Sequence, residues 1–334
     1  MKINIRLVII SVILAGAVIS LQYLPLTPGE DATTRQFRKA FRENYRIFAP
    51  EIPDQIDFAG EPAPLHLVTV REKLDRELLI NTYWHTSTLT MMKRANRYFP
   101  MIESILREHN IPDDFKYLAL VESRLENVIS PRGATGFWQF LKETAREYGL
   151  EVNLEVDERY DPEKSTVAAC EYLKKAFSEY QNWTLVAASY NAGNRRIGEA
   201  VEEQNTTDYY ELWLNEETSR YIYRILAVKT IFQNPTRYGF YLTPSDLYPE
   251  IPSEEIVVEK DIPDLMAFAD SLGISYSLLK EFNPWLRNTR LSVDKNKIYV
   301  IHVPDSAGLI YENLMQGTDR KSIMGDSVEL QDLY

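Results

Sequence analysis

From Val68 to Gln233 apolar residues recur at three- and four-residue spacing, the mark of helices that each bury one stripe. The pattern predicts an almost wholly helical region. Within it, Asp161-Pro162 ahead of EKSTVAACEYLKKAF reads as a helix start, with Asp as N-cap and Pro in the first turn. Pro112-Asp113-Asp114 opens DFKYLALVES in a similar way, and Gly193 after WTLVAASYNA reads as a helix C-cap. After Pro235 the period changes. The segment 254–304 opens and closes on β-branched runs and holds two short helical stretches between them, which predicts a small βααβ module. Residues 22–65 carry Pro25, Pro28, Pro50, Pro53, Pro62 and Pro64 amid mixed charge and read as an extended stalk or packing arm. Residues 305–334 show no strong period and are left as a tail.

The N-terminus carries an address. Lys2 and Arg6 precede an apolar run from Leu7 to Leu21, broken only by Ser11, Gly16 and Ser20. This reads as an export signal. Ala15-Gly16-Ala17 offers small residues for cleavage, while the run is somewhat short of the ~20 residues of a comfortable membrane span. Residues 1–21 therefore read either as a cleaved signal peptide or as a retained membrane anchor, and both place the chain in the periplasm or cell envelope. No cysteine follows the run, which excludes a lipoprotein anchor.

The length of 334 residues allows one sizeable core and a smaller module. The formal charge of −12, with no basic stripe, argues against a nucleic-acid partner. An acidic polymer would have to be held by hydrogen bonds and stacking. The single cysteine, Cys170, rules out an internal disulfide and reads as a small buried apolar residue. His66, His85, His109 and His302 fall in no metal-ligand spacing, so neither a metal nor another cofactor is expected.

One carboxylate stands out. On DFKYLALVES, Phe115, Leu118, Ala119 and Glu122 share a face, and nearly every other position from Tyr117 to Val121 is apolar. A central, buried helix is predicted. A carboxylate at its C-terminal end is poorly solvated and faces the negative end of the helix dipole, and both effects raise its pKa. A Glu that keeps its proton near neutral pH is what a general acid needs. From the helix alone a solvated Glu at its terminus is the ordinary reading, so the neighbours decide. Ser130-Pro131-Arg132-Gly133-Ala134-Thr135-Gly136 can bring backbone close to a ligand. Phe137-Trp138-Gln139 then offers an aromatic face and an amide, which suit sugar rings bearing N-acetyl groups. Tyr190 and Asn191 put two more polar groups just before Gly193, a place where cap chemistry is the ordinary reading.

Together these residues carry a resemblance. Glu122-Ser123, Gly136-Phe137-Trp138-Gln139, Ser189-Tyr190-Asn191-Ala192-Gly193 and Glu217-Thr218-x-x-Tyr221 resemble, in order and spacing, the motifs of soluble-type lytic transglycosylases, in the branch of membrane-bound lytic murein transglycosylase D. The likeness runs from about Leu74 to Gly239. It implies a mainly α fold, with a lysozyme-like (α+β) transglycosylase domain over 66–240. It also implies Glu122 as sole catalytic acid and base, Ser123 as its support, and Ser130 as holder of the substrate's N-acetyl group. Gln139, Tyr190 and Asn191 would line the glycan cleft, Tyr221 would sit close to Glu122, and Glu211 falls where some relatives carry a second cleft carboxylate. Ser189 stands where Ala is usual, Phe137 where Leu or Ile is usual, and the loop from Glu122 to Ser130 is one residue shorter than in many relatives.

The implied activity is non-hydrolytic cleavage of the β-1,4 bond between MurNAc and GlcNAc in peptidoglycan glycan strands, leaving 1,6-anhydro ends. Two other readings stay open. One is a hydrolytic muramidase, with Asp157, Glu158 or Asp161 directing water; the other is an inactive cell-wall scaffold. Residues 254–304 resemble a divergent LysM domain through Asn283-Pro284-Trp285-Leu286 and the closing strand Tyr299 to Pro304. Lys260-Asp261-Ile262-Pro263-Asp264-Leu265 replaces the usual Gly-Asp-Thr turn. The module is expected to be either a glycan binder or a structural cap.

Overall fold

The computed structural model describes residues 47–316 without Asn296, together with Gln36 and Lys39. The chain divides into two units, Met1–Ala49 and Pro50–Tyr334, and all the elements below lie in the second. The segment read as signal or anchor, the arm before residue 47 apart from those two positions, and residues 317–334 lie outside the described residues. Among the described residues no helix is long and apolar enough to cross a membrane.

The last part of the predicted arm belongs to the core. Strands β1 (Asp57–Phe58) and β2 (Glu61–Pro62) pair antiparallel across Ala59-Gly60, both at positive φ (54° and 83°), as a tight two-residue hairpin requires. Phe58 is fully buried and meets Phe115 edge-on at 5.0 Å. The Glu61 carboxylate accepts the N–H groups of Trp183 and Thr184 at 2.6 and 2.8 Å, which fixes the hairpin to a helix N-terminus.

Eight helices follow: α1 (Val68–Tyr83), α2 (His85–Glu108), α3 (Phe115–Ser123), α4 (Lys142–Glu147), α5 (Pro162–Tyr180), α6 (Trp183–Ala192), α7 (Asn194–Gln204) and α8 (Glu216–Gln233). Trp84, at ψ 56°, separates α1 from α2. The centre of the core is α3, as its apolar run predicts: Phe115, Leu118, Ala119 and Leu120 have no exposed surface. Each of the three larger side chains contributes about 2 kcal/mol by burial. Around it stand α2 and α8, and α8 in turn lies along α1.

The helical period misses two irregular stretches, 124–141 and 148–161. Isolated bridges hold them (Ile129 with Thr135, Thr135 with Phe140, Val152 with Asp157), and Gly133, Gly136 and Gly149 take positive φ there. Of the two predicted helix starts, Asp161 caps α5 through Glu163 N and Lys164 N, both at 3.0 Å. Asp114 makes no capping bond. Its carboxylate is taken by Ala59 N and by the buried Lys229 Nζ, each at 2.7 Å, because a buried ammonium needs an anionic acceptor more than an N-terminus needs a cap.

The C-terminal module has the predicted βααβ order. Strand β3 (Ser253–Val258) pairs antiparallel with β4 (Tyr299–Pro304), and α9 (Leu265–Ser271) and α10 (Tyr276–Phe282) lie between them in sequence. Leu265, Leu279, Trp285, Leu286, Tyr299 and Ile301 form its core, and Val156 from the stretch before α5 is part of that core too. Val156 bridges Leu286, Asp157 N donates to Trp285 O at 2.9 Å, and Arg287 N donates to Glu155 O at 2.7 Å. Glu155 also holds Arg290, and Glu151 holds Lys297 and Tyr299. In the segment read as a tail, Tyr311–Gln316 form a short helix, α11.

Candidate active site

Glu122 and Ser123 end α3. The chain then leaves the helix through Arg124 and Leu125, both in the left-handed conformation (φ 57° and 54°). Ser123 Oγ donates to Phe137 O at 2.8 Å and accepts from Leu125 N at 3.1 Å. It therefore ties the helix end to the loop carrying Trp138, and its bonds are to backbone rather than to the Glu122 carboxyl.

That loop is built to be rigid. Trp138 is fully buried and donates from Nε1 to Thr166 Oγ1 at 2.8 Å. Gly136 has φ 81°, and a Cβ there would lie 1.8 Å from Arg159 O, so only glycine fits. The buried Arg159 grips both Asp157 oxygens (2.9 and 2.7 Å) and donates to Gly133 O and Phe140 O. Gln139, at φ 49°, donates from Nε2 to Val128 O and Gly136 O, and these bonds leave its side-chain carbonyl uncommitted. Ser130 Oγ accepts from Ala134 N at 3.0 Å, closing its own turn.

Two more helices complete the site. At the end of α6, Tyr190 OH donates to Trp138 O at 2.6 Å, and its ring meets those of Trp138, Phe140 and Tyr172 edge-on. Thr218 Oγ1, in the first turn of α8, donates to Asn191 Oδ1 at 3.1 Å. One turn further on, Tyr221 OH donates to Glu122 Oε1 at 2.5 Å. The four motifs thus close a ring of hydrogen bonds: Ser123 to Phe137, Tyr190 to Trp138, Thr218 to Asn191, Tyr221 to Glu122.

Within this ring, burial pushes the Glu122 carboxyl up to about 7, opposed by the Tyr221 hydrogen bond and reinforced by the Glu217 charge; Arg224 pulls it down. Burial and the Glu122 charge drive the Tyr190 and Tyr221 hydroxyls far up, so both remain donors. Behind α8, the buried Glu77 of α1 holds Arg220 Nε at 2.7 Å and stands 4.0 Å from Arg224 Nε. Arg224 thus stands near Glu77 while its charge also acts on Glu122.

Glu211 is exposed and accepts from Thr206 Oγ1 at 2.8 Å; the carboxylate that acts on Glu122 is Glu217. The sequence presents Glu217 only as a motif letter. Asp157 is paired with Arg159, Glu158 with Lys164 at 2.6 Å, and Asp161 caps α5, so all three have structural partners. Arg159, Glu77 and Arg224 escape sequence reading. Glu77 alone leaves a signal, as an acid within the buried stripe Val70, Leu74, Leu78 of α1. A cavity of about 220 Å³ lies elsewhere, lined by Arg97, Tyr98 and Asn127 from the helices and by Phe282, Trp285 and His302 from the module.

Residues 99–213 match the transglycosylase SLT domain, and residues 254–307 match the C-terminal LysM-like domain of soluble lytic transglycosylases. The chain is 30% identical over 254 residues to membrane-bound lytic murein transglycosylase D of Escherichia coli K12, and equally to that of strain O6:H1. The match covers 74% of this chain and 54% of the relative, so the chain spans about half the length of these curated relatives. A putative tributyltin chloride resistance protein of an Alteromonas species is 29% identical over 123 residues, 35% of this chain and 58% of that one.

Proposed function

We propose, from the premise that the chain joins a transglycosylase SLT domain to a LysM-like C-terminal domain, that it is a peptidoglycan lytic transglycosylase of the cell envelope. The closed ring of hydrogen bonds that sets Glu122 beside Tyr221 carries this reading. A carboxyl with a pKa of about 7 is half protonated at neutral pH and serves as acid and then as base.

In the first step Glu122 gives its proton to the glycosidic oxygen, the bond from C1 of MurNAc to that oxygen breaks, and GlcNAc leaves with a free 4-hydroxyl. The substrate's own N-acetyl oxygen supports the oxocarbenium-like centre, the part that a second carboxylate plays in many hydrolases. In the second step the Glu122 carboxylate takes the proton of the MurNAc 6-hydroxyl, whose oxygen closes on C1. Glu122 is regenerated in its acid form, the product is the 1,6-anhydro sugar, and no water is consumed. Tyr221 stabilises the carboxylate between the steps. The Gln139 carbonyl, Tyr190, Asn191 and the Ser130 turn form the wall against which the N-acetyl groups lie. Residues 66–240, completed by the β1–β2 hairpin, act as the catalytic domain, and the segment 1–21 directs or anchors the chain.

The 254–304 module acts as a fixed cap. The observation that favours this over a free glycan binder is Val156, a residue of the helical domain that fills the module's own core.

Mass spectrometry of muropeptides released from purified sacculi tests the reading. Products lighter by one water than hydrolytic ones, lost in Glu122→Gln, are the expected result. Ordinary reducing ends would make the protein a muramidase, with Glu217 the carboxylate to examine next.

A further inference from the structure

Among the described residues several large aromatic side chains lie in the open, Trp213 the most exposed, and Trp84 is set apart by its contact with Arg124, two residues beyond Glu122. Trp84 joins α1 to α2, and 52% of its surface is exposed. Its backbone is nonetheless fixed: its N–H donates to Ile80 O at 2.9 Å, and its carbonyl accepts from Thr88 N at 3.1 Å. A rigid, exposed indole gains little from the core, and it resembles a surface meant to be covered by something else.

What lies against it is Arg124, two residues beyond Glu122. Its guanidinium sits 4.5 Å from the centroid of the Trp84 ring. Arg124 occupies the left-handed position that closes α3, where glycine or asparagine is the ordinary choice. A long cationic side chain is kept there against backbone preference, and the Arg124 carbonyl is reached by Arg94 Nη1 at 3.4 Å, with Arg94 paired to Glu126 at 2.7 Å.

The location is set by helix direction. Lys73 lies over the Tyr223 ring, Glu77 holds Arg220, and Arg76 reaches Glu216 at 3.5 Å, so α1 and α8 run antiparallel. The Trp84 end of α1 therefore lies toward the N-terminal end of α8, the helix that carries Glu217 and Tyr221. The contact with Arg124 is what brings Trp84 beside the chain end that carries Glu122.

We infer that Trp84, braced by Arg124, is a stacking platform for one pyranose ring of the glycan strand next to the bond that Glu122 cleaves, with the Arg124 guanidinium receiving a carboxylate carried by that strand. A sugar's C–H face covers an indole with little loss of side-chain entropy, and a planar guanidinium suits a carboxylate. The charge logic agrees: stacking on Trp84 supplies the kind of hold a chain of net charge −12 needs for an acidic polymer, and Arg124 offsets the repulsion locally. This inference rests on the reading of Glu122 as the acid of glycan cleavage.

The test compares the full chain with Trp84→Ala, Trp84→Phe and Arg124→Gly on soluble uncrosslinked glycan strands, with far-UV circular dichroism as a check on folding. Trp84→Ala is expected to raise KM about tenfold, a loss of ~1.4 kcal/mol, while kcat stays within about twofold. Trp84→Phe keeps an aromatic face and recovers most of that loss. Arg124→Gly suits the backbone, so the melting temperature does not fall, yet KM rises. A merely structural Arg124 would instead lower the melting temperature and leave KM alone. An unchanged KM in a folded Trp84→Ala, or a KM of Trp84→Phe no better than that of Trp84→Ala, overturns the inference while the reading of Glu122 stands. If Trp84→Ala fails to fold, an unchanged KM in Arg124→Gly overturns it. A wild-type chain without turnover overturns the reading of Glu122 instead.

Discussion

Replacing Glu122 by Gln should stabilise the protein, and by an amount that depends on pH. The folded carboxyl has a pKa of about 7 against an ordinary value of 4.5, chiefly because burial penalises its charge. Below pH 4.5 both folded and unfolded chains carry the proton, and the two proteins should be equally stable. Between pH 4.5 and 7 the unfolded chain has lost the proton and the folded chain retains it. The native state then binds more protons, so wild-type stability falls as pH rises. Above pH 7 the penalty is complete. The gap from 4.5 to about 7 corresponds to roughly 3 kcal/mol, or about 2–3 kcal/mol once partial solvent access to the carboxyl is allowed for. Gln keeps an oxygen acceptor for the Tyr221 hydroxyl and carries no charge, so it escapes the penalty. For a protein of this size the gain raises the melting temperature by about 4–10 °C at pH 8. Differential scanning calorimetry of both proteins from pH 4 to pH 8.5 would show the two melting curves diverging through the interval 4.5–7. A gap that does not change with pH, or a wild type more stable than the variant at pH 8, would refute the account of Glu122 as a carboxyl raised by burial.

Two further substitutions probe the surroundings. Tyr221→Phe removes the hydrogen bond that holds the Glu122 pKa down, so the alkaline limb of the kcat/KM profile should move to higher pH, with kcat falling roughly ten- to hundredfold for one charge-assisted bond of about 1.5–3 kcal/mol. A limb that moved to lower pH would contradict this. Gly136→Ala forces a Cβ against Arg159 O from a left-handed backbone and should cost more than about 3 kcal/mol in denaturant unfolding; a wild-type midpoint would mean that the loop can give way.

What the sequence made legible follows the range of each interaction. Helices with local stop and start signals, such as Asp161-Pro162 and Gly193, stand where the pattern puts them, and the buried helix ending in Glu122 was readable from its apolar run. The order of the four motifs was readable too, and their resemblance implied Tyr221 close to Glu122, 99 positions away, as found. The bonds that close the ring through Phe137, Trp138 and Asn191 were not readable, because they engage backbone carbonyls and a cap-position amide. Asp114 looked like a cap because capping is local; a buried lysine 115 positions away claimed it. Asp157 stayed open as a water-directing carboxylate because Arg159, two residues on, could as well have pointed to water; in the fold Arg159 takes both its oxygens. Val156 left no trace, since one β-branched residue in an acidic loop has no period of its own. Glu211 is exposed and bonded to Thr206, while the carboxylate whose charge reaches Glu122 is Glu217, one helical turn before Tyr221 on α8.

The seating of Val156 makes the two domains one instrument. A module on a flexible tether samples many bearings, and whatever it touches can lie anywhere within reach of the tether. Here the stretch 151–157 enters the module as a mortised joint, with backbone bonds to Trp285 and Arg287 and ion pairs to Arg290 and Lys297. The same stretch supplies Asp157, which orients the arginine that cinches the loop beside Glu122. The span from the module to Glu122 is therefore set by packing rather than by a tether, as in a caliper. The joint ends two residues before Arg159, so the loop beside Glu122 and the far end of the protein are fastened to one common stretch of chain.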